Sequence, residues 1–162
     1  IVIDSTYKKD DEKSNNFKFS LPINYSSDEI ISIELLNLLI RNTEDLEEDV
    51  IPSYILLRIN NFKSNYISNN DNLNDSFGKL LDYQILNMSN SIIYRKYKCN
   101  NIKKVFLPSL MLQELNIKIL KPDGNLYLFK EEDNDSNMNN PYITLDIKIG
   151  IKKNNNNNLY SN

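Results

Sequence analysis

The chain of 162 residues contains no histidine, no tryptophan and a single cysteine, Cys99. Nucleophilic catalysis by a serine or a cysteine normally needs a neighbouring base, most often histidine, so we expect no enzymatic activity. The lone thiol excludes an internal disulfide framework and is typical of a reducing compartment such as the cytosol. With one thiol and no imidazole, the sequence also lacks the usual ligands of a zinc site.

The sequence also lacks a dominant charge and a long apolar run. It carries 19 basic and 22 acidic side chains and a net charge of -3, so no overall field draws it to nucleic acid or to an anionic membrane. No stretch reaches the roughly 18 apolar residues of a membrane-spanning helix. The start of the chain does not have the pattern of a signal peptide. We therefore expect a soluble protein with no transmembrane segment and no specific nucleic-acid partner.

The sequence predicts a β-hairpin in the last third of the chain. Residues 115–120 alternate apolar and polar side chains, a turn follows at 121–124, and apolar positions return at 126–129. Pro122 presets the backbone at the first central position, Asp123 tolerates the second, and Gly124 takes the left-handed conformation. Residues 143–151 alternate in the same way, which predicts a strand with one buried face.

The pattern of residues 26–38 is compatible with a helix and with a strand. Its first four residues resemble a helix capping box, and Ile31, Leu35 and Leu38 would share one face of a helix. Ile31, Ile33 and Leu35 also alternate with polar residues, and β-branched isoleucine favours an extended chain. We favour a strand because the rest of the chain has a β pattern.

The strand count predicts the architecture and the domain organisation. About eight antiparallel strands with long loops favour an all-β sandwich, a single jelly roll, over residues 1–153. An immunoglobulin-like sandwich is the second choice, weakened by the missing tryptophan and second cysteine. Residues 154–162 form an asparagine-rich, low-complexity tail.

Two segments of opposite charge are candidates for a contact between subunits. The basic segment interleaves tyrosines with cations, a pattern that also suits single-stranded nucleic acid or a solubilising strand edge. Its partner would be an acidic loop of a neighbouring copy, and a repeated head-to-tail contact of this kind closes into a ring. The candidate residues are Arg95, Lys96, Lys98, Lys103 and Lys104 on the basic side, and Glu44, Asp45, Glu47, Glu48 and Asp49 on the acidic side.

Oxygen-rich loops raise the possibility of calcium. One cluster consists of Asp71, Asn72, Asn74 and Asp75, and a second spans residues 133–135. Both lack the glycine and the terminal glutamate of an EF-hand loop. We therefore expect no metal and no cofactor, and a calcium-dependent module of lectin-like or C2-like type stays the alternative from another functional class.

The order of these segments resembles a family of viral proteins. Residues 3–5 read Ile3-Asp4-Ser5, residues 31–35 alternate isoleucine or leucine with polar residues, and the strand 115–120 precedes the turn of Pro122, Asp123 and Gly124. Over residues 1–151 the chain resembles single jelly-roll penton or minor capsid proteins of mimivirus-like giant DNA viruses. Thr6 and Lys8 stand where related sequences often carry arginine, so a contact made there by arginine is not carried over.

The resemblance implies a structural virion protein without catalytic residues. Such a subunit would form pentamers at the icosahedral five-fold vertices, or act as a minor capsid protein that bridges or underlies the major capsid trimers. Its partners would be further copies of itself and other capsid proteins. It would be made in the host cytoplasm and located in the capsid of the virion.

Overall fold

A computed structural model of the chain describes residues 1–7, 15–21, 28–42, 53–60, 62–63, 68–81, 83–87, 93–99, 102–110, 112–127 and 142–153. In this part of the chain a 3-10 turn spans Ser5–Tyr7 and a short helix α1 spans Asp71–Asn74. The ten strands are β1 Val2–Asp4, β2 Asn16–Ser20, β3 Asp28–Asn42, β4 Ile55–Ile59, β5 Gly78–Leu80, β6 Tyr83–Asn87, β7 Ile93–Lys98, β8 Lys103–Leu110, β9 Glu114–Leu120 and β10 Ile143–Lys153.

The strands form two antiparallel sheets. The six-stranded sheet has the order β1-β10-β3-β7-β6, with β8 also paired to β3, and the four-stranded sheet has the order β2-β9-β4-β5. β7 and β8 pair with successive halves of the same side of β3, as two pieces of one interrupted strand. When β7 and β8 are counted as one strand and β6 is left aside, the sheets have the orders β1-β10-β3-β7 and β2-β9-β4-β5. This is the strand order of a jelly roll. The predicted all-β sandwich is confirmed.

The main core lies between the two sheets. Every second residue of a strand points inward, so isoleucines and leucines at alternate positions fill the space between the layers. The six-stranded sheet contributes Ile33, Leu35, Leu38 and Ile40 from β3 and Ile143, Leu145 and Ile147 from β10; the four-stranded sheet contributes Ile55, Leu57 and Ile59 from β4 and Leu115, Ile117 and Ile119 from β9.

A second, smaller apolar cluster lies on the outer face of the four-stranded sheet. Leu56 of β4 and Leu120 of β9 are directly opposite each other, and Leu73 of α1 covers them. The helix is fixed by its cap, because the Asn70 side chain accepts a hydrogen bond from the Asn72 N–H at 2.9 Å. Among the described residues, α1 therefore covers part of this outer face and leaves the rest open.

The ambiguous segment is the strand β3, and two β-bulges explain its helix-like spacing. Ile31 is the extra residue of one bulge and Leu36 that of the other, where the pairing with β10 shifts by one residue. Both are exposed, at 38% and 46%. The strand prediction is therefore confirmed, but Ile31 does not share a face with Ile33 and Leu35.

The hairpin turn has the predicted geometry. Gly124 has a φ of +88° and donates a backbone hydrogen bond to the Lys121 carbonyl at 3.0 Å. Leu126 then pairs with Leu120, and the Tyr127 N–H donates to the Ile119 carbonyl at 2.9 Å. The remainder of the predicted return strand and the tail at 154–162 lie outside the described residues.

Candidate subunit interface

Three of the five predicted basic residues lie on one outer surface. Lys96 and Lys98 of β7 and Lys103 of β8 point away from the core of the six-stranded sheet. Lys98 is opposite Asn37, and Lys103 is opposite Glu34. The predicted acidic partners at 44–49 lie outside the described residues.

Lys104 does not belong to this surface. It is opposite Ile33, an inward-facing residue, and only 9% of it is exposed. Burial lowers the pKa of its ammonium group, since desolvation disfavours the charged form. Neighbouring residues on a strand point to opposite faces, so Lys103 and Lys104 cannot serve one contact.

Arg95 is also inside the protein, with 6% exposed. It is opposite Ile40, and its Nη1 donates a hydrogen bond to the Tyr127 hydroxyl at 3.1 Å. Its guanidinium carbon lies 5.4 Å from the centre of the Tyr83 ring, within cation–π range. The prediction that Arg95 contributes to a surface contact is therefore wrong, and its role is in the packing at one end of the sandwich.

The same cluster holds Tyr97. Burial is the main cause that raises the pKa of Tyr97 to about 12, with a further contribution from Tyr127, while Arg95 acts in the opposite direction. The ring centroid of Tyr97 lies 5.5 Å from that of Tyr83. This group of three tyrosines around one cation stabilises the fold. Arg95 and Tyr97 therefore belong to the interior, although the alternation of tyrosines and cations in their segment is also typical of a binding surface.

The sequence prediction missed a group of exposed apolar residues beside Lys103. Val105 of β8 is 64% exposed and Leu107 is 92% exposed. Val105 is opposite Ser32, and the bulged Ile31 next to Ser32 lies on the same outer face, over Gly150. We call Ile31, Lys103, Val105 and Leu107 the edge patch, because in the described part of the chain β8 pairs on one side only.

One signal in the sequence could have revealed the edge patch. Three apolar residues in a row on a strand cannot all face the core, because successive side chains point to opposite faces. In β8 the middle residue, Phe106, packs against the main core, and its ring centroid lies 4.8 Å from that of Phe62. Val105 and Leu107 are exposed as a consequence.

In the first candidate calcium cluster, the side chains of Asn74 and Asp75 are bound to other protein groups. The Asn74 amide both accepts a hydrogen bond from the Ser68 N–H at 3.0 Å and donates one to the Ser68 carbonyl at 2.9 Å. Asp75 pairs with Lys63 at 3.3 Å. Within the described ranges no three His, Cys, Asp or Glu residues are placed to hold a metal ion. The second cluster, 133–135, lies outside those ranges.

The chain was compared with protein-family models, with curated proteins and with solved structures, and none of the three comparisons finds a match. No helix in the described part is long and apolar enough to cross a membrane. A proposal about function therefore rests on the residues and on their geometry.

Proposed function

We propose that this protein is a structural subunit that assembles with copies of itself into an icosahedral shell, as a penton at the five-fold vertices. The edge patch is the observation that carries the proposal. A leucine that is 92% exposed beside a valine that is 64% exposed, on an edge strand, offers both apolar surface and unpaired backbone groups to a neighbour. Burying such side chains is the main favourable term in most protein associations.

The penton proposal requires the patch to meet a different surface of the neighbouring subunit, which is a heterologous contact. A patch that met its own copy would give a two-fold dimer instead. A heterologous contact with the right rotation closes into a ring. The jelly-roll strand order and the resemblance of the sequence to penton proteins agree with this arrangement. The alternative within the same class is a minor capsid protein that bridges or underlies other capsid subunits.

The test is the mass of the purified protein in solution, measured by light scattering across protein concentration, with and without calcium. We expect a pentamer that does not depend on calcium. Leu107→Ser should weaken each contact by about tenfold or more, since burying a leucine contributes about 1.5–3 kcal/mol. Lys103→Glu should weaken it as well, whereas Lys104→Glu should impair folding because that side chain faces inward.

Leu81→Ser is the matched control, since Leu81 is 54% exposed but lies between β5 and β6, outside any strand. A pentamer that survives Leu107→Ser unchanged would rule out the edge patch as the contact. A wild-type monomer at every concentration would contradict the penton and shift the proposal to the minor capsid protein. A mass that changes with calcium would instead support the calcium-dependent binding module.

A further inference from the structure

The open part of the outer face of the four-stranded sheet carries two facing cations. Arg58 of β4 and Lys118 of β9 are directly opposite each other in the pairing of these strands. They line a depression of about 320 Å³ together with Asn60, Glu114 and Asn116. A second depression of about 240 Å³ adjoins it and shares Arg58 and Asn60.

The acidic groups around the depression are each paired with another cation. Glu114 pairs with Lys18 at 3.4 Å, and Asp75 pairs with Lys63 at 3.3 Å. Arg58 donates its Nε–H to the Asp75 backbone carbonyl at 3.1 Å, and its two Nη groups make no hydrogen bond to a described residue. Among the described residues, no carboxylate lies within ion-pair distance of Arg58 or Lys118. Two positive charges therefore face each other, and neither forms an ion pair with a described carboxylate.

Ordinary explanations for surface lysines do not account for this pair. Lysines on edge strands prevent sheets from pairing with other chains, but β4 and β9 are the two central strands of their sheet. Like charges directly opposite each other on neighbouring strands destabilise a sheet. The repulsion between the two cations therefore costs free energy in the unliganded protein. An anion bound between them would replace this repulsion by attraction to both cations.

The floor of the depression is held together by hydrogen bonds of Asn60. Asn60 has a φ of +49°, and its side-chain oxygen accepts a hydrogen bond from the Asn116 N–H at 2.7 Å. Its amide nitrogen donates to the Glu114 carbonyl at 3.2 Å, which extends the pairing of β4 and β9 beyond the end of β4. The two cations thus stand on paired strands, so the backbone beneath them need not rearrange to bind a ligand.

We propose that this depression binds an oxyanion, the phosphate or sulfate group of a small ester. Guanidinium and ammonium groups are donors only, and the planar guanidinium matches two oxygens of such a group at once. The volume is within the range of small-molecule sites, so it accommodates the group together with part of the molecule that bears it. This site is separate from the edge patch and does not depend on self-assembly.

The test is an NMR titration of the full chain with sodium phosphate, sodium sulfate, glucose 6-phosphate and, as a neutral control, glucose. Ionic strength is held constant because exposed charges are screened by salt. We expect saturable shifts confined to β4, β9 and Asn60, with a Kd of the order of 1 mM. Tighter binding of glucose 6-phosphate than of phosphate would assign an ester as the ligand, and equal binding would assign the free ion.

Two variants and one control decide whether the cations are responsible. Lys118→Gln and Arg58→Gln should each weaken binding by about tenfold or more, the usual loss for a charge-assisted hydrogen bond. Lys148→Gln removes an exposed lysine from the other sheet and should change binding by less than about twofold. The Lys118 side chain makes no hydrogen bond to a described residue, so its variant should fold normally even if Arg58→Gln does not. Shifts that fail to saturate, or that persist at full strength in Lys118→Gln, would overturn the proposal.

Discussion

Replacing Gly124 by alanine tests the turn that joins β9 to Leu126. Gly124 has a φ of +88°, where an L-residue is strained by about 1–2 kcal/mol. An added Cβ would also lie 2.7 Å from Cγ and 2.8 Å from Nδ2 of Asn72, so that half-buried side chain must move, at about 1 kcal/mol. Alanine recovers about 0.5 kcal/mol by restricting the unfolded chain. We expect Gly124→Ala to lower the free energy of unfolding by about 2 kcal/mol and Tm by about 4–8 °C.

A double-mutant cycle separates the two causes. Asn72→Ala alone should have a small effect, because the hydrogen bond to Asn70 uses the Asn72 backbone N–H. In the Asn72→Ala background, Gly124→Ala should cost about 1 kcal/mol, which is the backbone strain without the steric clash. Chemical denaturation followed by circular dichroism measures all four proteins. A cost below about 0.5 kcal/mol in the wild-type background would refute the left-handed turn. Equal costs in both backgrounds would refute the contact between Gly124 and the Asn72 side chain.

Two further predictions concern buried groups. Arg95→Ala should reduce the free energy of unfolding by about 2–4 kcal/mol, since it removes core volume and the partner of the Tyr127 hydroxyl. The control, Lys98→Ala on the same strand, should cost less than about 0.5 kcal/mol. A loss as small as that for Arg95→Ala would contradict the placement of Arg95 in the core. Burial raises the pKa of the Cys99 thiol from its ordinary value of 9.0 to about 11, so the folded state retains a proton that the unfolded state loses. Stability should therefore be intact below about pH 9 and fall as pH rises towards 11. Cys99→Ala should remove most of the fall measured at about pH 10, and an unchanged fall would contradict this assignment.

The parts of the fold that could be predicted from the sequence are those set by local chemistry. The β9 hairpin follows from alternation and from a turn whose glycine is needed for its positive φ. β10 follows from its alternation of isoleucine or leucine with polar residues, and Ile143, Leu145 and Ile147 are buried as expected. In both cases the information lies within about ten neighbouring residues.

The bulges of β3 could not be predicted in the same way. They arise where two strands more than a hundred residues apart in the chain are brought into register, at Ile31 and Leu36. A bulge turns a two-residue repeat into a three-residue step, so the buried positions Ile30 and Ile33, or Leu35 and Leu38, acquire a helix-like spacing. The sequence pattern was ambiguous because the strand itself is irregular.

The candidate site depends on strand register as well. Cations on β7 and β8 face the core or the solvent according to the residue of β3 that each one opposes. Arg95 opposes Ile40 and Lys104 opposes Ile33, so both lie inside, while Lys103 opposes Glu34 and lies outside. The sequence marks Arg58 and Lys118 only weakly: each is a single cation between two apolar residues of a strand. Only the pairing of β4 with β9 brings the two together.

The edge patch and the cationic depression lie on the outer faces of different sheets, on opposite sides of the sandwich. Self-association through one therefore need not cover the other. Leu107→Ser should change the mass in solution and leave phosphate binding intact, whereas Lys118→Gln should do the reverse. If either variant folded as the wild type does and still changed both properties, the depression would have to lie within the subunit contact. An anion bound between Arg58 and Lys118 would then be part of the assembly itself, and phosphate would shift the equilibrium between monomer and ring.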